Sequence, residues 1–209
     1  MKQKVLLPIF YLPPISWFSV YENQETEVVL EQWEHFPKQT YRNRTHILGA
    51  NGKLILTIPK KRTGERKPLK DVEISYTEDW QSLHWKSIKI AYQTSPYFEF
   101  YEDQFFEIYQ NKEKFLLDFN LRTLDIIKRI IKSETAHSLN TAYQKEPLEE
   151  DFRSIFSAKK ESVFEMPDYY QSFSDKFGFT KDLSILDLIC NKGPETRTYL
   201  RNIKLINNK

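Results

Sequence analysis

The 209-residue chain carries 4 Trp, 12 Tyr and 15 Phe but only 5 Gly, where average glycine usage near 7% would give about 15. Those glycines stand at 49, 52, 64, 178 and 193, so neither G-x-G-x-x-G nor G-x-x-x-x-G-K-[ST] can be written, which excludes an ordinary dinucleotide fingerprint and a P-loop. One cysteine excludes an internal disulfide and a cysteine-rich zinc site, and 31 basic against 29 acidic residues argue against a surface that is a polyanion sink throughout.

Forty per cent apolar residues suffice for the core of one domain at this length. Lys2 and Lys4 precede an uncharged stretch from Val5 to Tyr21 that superficially resembles an export signal. Pro8, Pro13 and Pro14 would break such a helix, so the expectation is a cytoplasmic protein without a membrane span.

In chain order, Val5–Leu7 reads as a buried first strand, and Pro13-Pro14 opens a helix carrying Ile15, Trp17, Phe18 and Tyr21. A second strand spans Glu27–Leu30. Apolar runs Thr45–Leu48 and Leu54–Ile58 flank Asn51-Gly52, which predicts a hairpin with a type I′ turn. After the basic loop 60–70, the alternation of Val72, Ile74 and Tyr76 predicts a further strand. Thr77 or Asp79 caps a helix to Tyr92 with Leu83, Ile88 and Ala91 on its apolar face. Helices follow over 102–110 and 113–132, then a strand over Leu139–Tyr143. Gln144–Met166 lacks a sustained period and reads as a connecting excursion. A helix over Ser184–Asn191, stopped by Gly193-Pro194, and another over Glu195–Asn202 close the chain. Residues 1–143 thus form an α/β core, and 144–209 complete the same domain.

The densest set of chemistry-bearing side chains is Glu31, Glu34, His35, Lys38, Gln39, Tyr41, Arg42, Asn43 and Arg44. Arginine forks match phosphate or carboxylate, amides read hydroxyls and rings stack on sugars, so the set suits a phosphorylated or glycosylated ligand. A solvated loop with surface ion pairs is the alternative. His84, flanked by Trp80 and Trp85, is placed for general-base work or phosphate binding, or for a structural role. No histidine pair has i, i+4 spacing, no signature makes Ser19 or Cys190 a nucleophile, and no metal or cofactor is expected. Lys60, Lys61, Arg62, Arg66 and Lys67 suit a polyanion or are a solvated connection.

Taken together, LLPIFYLPPISWF, KQTYRNRTHI, NGKLILTIP, W-x-x-x-H and AY-x-x-x-P-Y-F, in this order, resemble the WbqC-like family. The closing YYQSFSDKFGFTKDLSILDLICNKGPET resembles the C-terminal part of a shorter family branch common in Bacteroidetes-type bacteria. The resemblance implies an α/β fold and a protein of surface polysaccharide or O-antigen biosynthesis that handles an activated or lipid-linked saccharide. It places the family's Asn-Arg core on Asn43 and Arg44, its lysine on Lys38, its acidic residue on Glu31 and its helix histidine on His84. It departs at Leu7, where many members carry Gln or His, and at Glu31, where Asp is usual.

The combined expectation is a single α/β domain with a mixed sheet, including the antiparallel hairpin at about 45–58, covered by helices and ending in a C-terminal helical arm. The function expected is a metal-independent group transferase, with Glu31 and His84 handling protons. Tyr11, Lys38, Gln39, Tyr41, Arg42, Asn43, Arg44 and Trp85 would bind the ligand. The alternatives are a non-catalytic glycan- or partner-binding module and, more remotely, nucleic-acid binding through 60–67. No nucleic-acid partner is expected.

Overall fold

Val5, Leu6 and Leu7 are apolar in succession, as a strand covered on both faces requires, and they form the buried part of β1 (Gln3–Pro8). The computed structural model describes residues 2–62 and 64–206. Pro14 offers no side-chain cap to the helix that follows, α1 (Ile15–Tyr21). A first-turn donor is satisfied from far along the chain: Asp182 accepts the Ser16 amide at 2.8 Å and the Ser16 hydroxyl at 2.7 Å. The Trp17 indole donates to the Pro8 carbonyl at 2.8 Å, which fixes α1 against the end of β1.

The next strand, β2 (Thr26–Glu31), runs parallel to β1, with Val28 opposite Val5, Leu30 opposite Leu7 and Glu31 opposite Pro8. β5 (His137–Leu139) lies beside β2, and β6 (Glu150–Asp151) pairs with the other edge of β1. The sheet order is therefore β5-β2-β1-β6, all parallel. Two expectations shift here. The strand expected over Leu139–Tyr143 begins earlier, at His137, and the stretch read as an excursion supplies a sheet edge.

The hairpin is present as β3 (Arg44–Gly49) and β4 (Gly52–Thr57), a separate two-stranded sheet. Its turn differs from the type I′ expected. Gly49 pairs with Gly52, so the loop residues are Ala50 and Asn51, and only Gly52 has positive φ, at 101°. Glycine thus supplies the left-handed residue just after the turn, which suits a type I turn with a bulge. The strand predicted at Val72–Tyr76 is absent as a ladder. Val72 and Ile74 are buried as their alternation suggested, but the extended backbone bonds Lys61 and Pro59 on one side and Lys114 and Leu116 on the other, through isolated bridges.

α2 (Trp80–Tyr92) starts where Asp79 accepts the Ser82 amide. Ile88 and Ala91 are buried as expected, whereas Leu83 faces solvent. α3 (Phe98–Gln110) starts four residues earlier than its period suggested, and α4 (Leu116–Ile130) buries Phe119, Ile126, Ile127 and Ile130 along one stripe. Two short elements escaped the sequence reading, α5 (Ser174–Phe177) and the antiparallel pair of β7 (Phe164–Glu165) with β8 (Lys204–Leu205). The closing helices α6 (Ile185–Lys192) and α7 (Thr196–Arg201) form as predicted, with Ser184 capping α6. Leu188, Ile189 and Cys190 of α6 are fully buried, so these helices are part of the core. Among the described residues no helix is long and apolar enough to cross a membrane.

Gly193 ends α6 at φ 51°, and a Cβ there would lie 2.4 Å from Cδ1 of Tyr97. Gly193→Ala is expected to destabilise the fold by about 3 kcal/mol through strain plus overpacking. Gly49→Ala, whose Cβ would meet nothing closer than 3.9 Å, is expected to be nearly neutral. Thermal melting of both variants checks this, and equal losses would refute it.

Candidate functional site

Because the four strands of the main sheet are parallel, Pro8, Glu31, Leu139 and Asp151 all end at the same edge. The chain builds outward from β1 through β2 to β5, then crosses back to add β6 on the far side of β1. The direction of winding therefore switches between β1 and β6. In open α/β sheets ligands bind outside the carboxyl ends of the strands at such a switch.

Glu31 is fully buried at the end of β2. One of its carboxylate oxygens accepts the Trp33 amide at 2.7 Å, the Glu34 amide at 3.1 Å and the Asn140 side-chain amide at 2.7 Å. The other faces Arg153 at 3.4 Å. A buried carboxylate needs such matching, since an unpaired one costs several kcal/mol. Glu31 is thereby fixed in position.

Arg153 is held equally firmly. Asp151 takes two of its nitrogens, Nη2 at 2.6 Å and Nε at 2.9 Å, and the Gln144 and Lys145 carbonyls accept the remaining donors at 2.8 and 3.3 Å. These hydrogen bonds hold the Asp151 carboxyl below its ordinary range. Arg42 is buried too, with its fork bound by both oxygens of Glu34, and it lies over the Phe10 ring at 5.3 Å. Burial pushes the Glu34 carboxyl up, and the Arg42 charge opposes the shift.

Around these locked pairs opens a crevice of about 570 Å³. Lys38, Gln39 and Thr40 form one wall, Tyr143 and Lys145 another, and Phe156 to Lys159 a third. Lys38, Lys145 and Lys159 are exposed, and among the described residues none is in an ion pair. The arginine forks are occupied, so the free positive charge belongs to the lysines.

The other candidate residues lie in different settings. Tyr11 is fully buried, its hydroxyl 2.9 Å from His84 Nδ1 and 2.6 Å from the Tyr109 hydroxyl. Burial lowers the His84 pKa to about 4, against a raising hydrogen bond to the Thr57 backbone, so the ring is neutral at pH 7. His84 contributes to a separate groove with Leu54, Ile55 and Leu83. Asn43 closes the hairpin base by donating to the Ile58 carbonyl at 2.8 Å. Arg44 stands near His46, whose pKa falls to about 4 through burial and the charges of Lys53 and Arg44. Tyr41 lines a second cavity, and Trp85 packs against Phe98 and Phe106. The crevice thus brings together Lys38, Gln39 and Arg42, with Glu31 behind it. Glu31 and His84 have separate partners, and the Arg44 Nε is buried without a hydrogen-bond partner.

Asn140, Lys145, Asp151, Arg153 and Lys159 were missed by sequence reasoning. Their only local signal is Asp151-Phe152-Arg153, an apolar residue between opposite charges in a stretch without period. The pairing with Glu31 spans 122 positions and has no short-range mark.

A parallel sheet with a side-chain-built crevice at its winding switch defines an α/β protein whose candidate site contains no glycine-rich loop. The WbqC-like protein family matches residues 10–161, and the chain belongs to that family. A Mycobacterium tuberculosis protein described as uncharacterized is 23% identical over 229 residues, covering 96% of this chain and 98% of its own length. No solved structure matches. All of the crevice residues named above fall inside the matched range.

His84 also yields a pH prediction. Its pKa in the folded protein, about 4, lies below its ordinary 6.5, so the unfolded chain binds the proton more tightly. The stability it contributes is complete above pH 6.5 and is lost as pH falls toward 4. Relative to His84→Gln, the native protein should lose about 3 kcal/mol over that window. Denaturant titrations of both at several pH values check this, and parallel pH profiles would contradict it.

Proposed function

We propose that the crevice at the strand ends binds the phosphate-bearing part of an activated or lipid-linked saccharide, and that the protein is a metal-independent group transferase of surface polysaccharide assembly. The observation that carries this reading is three unpaired lysines around a crevice whose arginines are already neutralised by carboxylates. Lys38, Lys145 and Lys159 supply the charge that an anionic group requires. Gln39, Thr40 and Ser154 offer amide and hydroxyl contacts to sugar oxygens, and Tyr143, stacked 5.1 Å from the Arg153 guanidinium, offers a ring face. The saccharide class is the one the family resemblance implies.

In this reading Glu31, Arg42 and Arg153 position the walls rather than touch the ligand. That same feature favours one alternative, a non-catalytic glycan-binding module: Glu34 and Asp151 at the crevice, and Glu31 behind it, are each engaged by arginine. The two readings part on turnover. Nucleic-acid binding through 60–67 gains no support, since Lys61 pairs with Glu73 at 2.8 Å and Lys60 lies over Phe36.

UDP-glucose at a hundredfold excess over Kd is expected to add about 2.7 kcal/mol of stability, read as a rise in melting temperature. The double variant Lys38→Ala/Lys145→Ala should fold normally and lose most of that rise, whereas Arg62→Ala should keep it. An undiminished rise in the lysine variant would refute the binding role. Conversion of UDP-glucose in the presence of acceptor glycans separates transferase from module.

A further inference from the structure

Beside the crevice lies a second cavity of about 520 Å³, and the two share Ser157, Ala158 and Lys159. The partition between them is aromatic. Phe10 packs 5.6 Å from Tyr41, a wall of the second cavity, and 5.9 Å from Phe156, a wall of the first.

The second cavity adds Lys53, Lys160 and Lys181 to the shared Lys159, and among the described residues none of these four is in an ion pair. Two carboxylates face it, Glu161 and Asp182. Asp182 is turned inward, with its oxygens bonded to the Ser16 amide and hydroxyl, and so offers little to a ligand. The Tyr41 and Phe179 rings stand at the walls, with the hydroxyls of Ser157, Ser162 and Thr180 between them. Ring faces suit the C–H faces of a pyranose, hydroxyls suit its oxygens, and unpaired lysines suit an anion.

We propose that this cavity is a separate subsite for a sugar carrying its own anionic group, carboxylate or phosphate, which brings a second saccharide alongside the one in the crevice. The proposal rests on the crevice reading for what the second sugar meets across the Ser157–Lys159 partition. Phe179 and Lys181 lie beyond residue 161, where the family match ends, so the subsite draws on the C-terminal part of this chain.

The test is isothermal titration of the full chain with trigalacturonate and, separately, with glucose 6-phosphate, each with and without saturating UDP-glucose. Maltotriose is the neutral control. At least one anionic sugar should bind about tenfold more tightly than maltotriose and keep its affinity when UDP-glucose is present. Lys53→Ala/Lys181→Ala should weaken it about tenfold while leaving UDP-glucose affinity within about twofold, both lysines being exposed and free to change without loss of fold. The arm that binds tells carboxylate from phosphate. Competition with UDP-glucose, unchanged affinity in the double variant, or binding in neither arm would overturn the second subsite. Failure of UDP-glucose alone, with an anionic sugar still bound through Lys53 and Lys181, would overturn the crevice reading and leave the subsite standing.

Discussion

A fully buried carboxylate, Glu31, sits at the carboxyl end of β2 and cannot be left unmatched. It gathers the amides of Trp33 and Glu34 from its own turn, the Asn140 side chain from the segment after β5, and Arg153 from the segment after β6. Three stretches distant in sequence are therefore tied to one pair of oxygens. Arg153 passes the constraint outward, because the carbonyls of Gln144 and Lys145 accept its remaining donors. The walls of the crevice, and with them the free lysines, are arranged around that centre.

In the proposed reading this arrangement lets a chain with net charge +2 and few glycines hold an anion. Charge is divided by role: arginines are neutralised by carboxylates and stiffen the site, while lysines stay solvated and open. Scarce glycine shifts left-handed backbone onto other residues, among them Leu12, Gln39 and Asp182. Gln39 lines the crevice and Asp182 the second cavity, so two such conformations sit at cavity edges. Most aromatics build the core, as Trp17, Tyr21, Phe98 and Phe105 do. Phe10, Tyr41 and Phe156, also buried, form the ridge between the two cavities.

Elements whose signals are local were legible in the sequence: the Asp79 cap of α2, the apolar run of β1, the Gly193-Pro194 stop after α6 and the hairpin around Gly52. The two-residue strand β6 was not, since so short a segment has no period and exists only through pairing with Val5 and Leu6. The site was legible in part. Lys38, Gln39, Arg42 and Glu31 were singled out from their density, but residue type alone pointed to Arg42 and Arg44 as phosphate forks. Only the fold shows that Glu34 binds Arg42 from eight positions away and that Arg44 stands by His46. His84 beside two tryptophans read as either reactive or structural, and its burial with Tyr11 and Tyr109 is a tertiary fact.

The central claim is that Glu31 acts on ligand binding through Arg153 and the Lys145 segment. A double-mutant cycle of Glu31→Gln with Lys145→Ala, read as UDP-glucose affinity, tests it most directly. The account predicts coupling of about 1 kcal/mol or more, because Lys145 contributes little once its segment is released. Additivity within about 0.3 kcal/mol would contradict it.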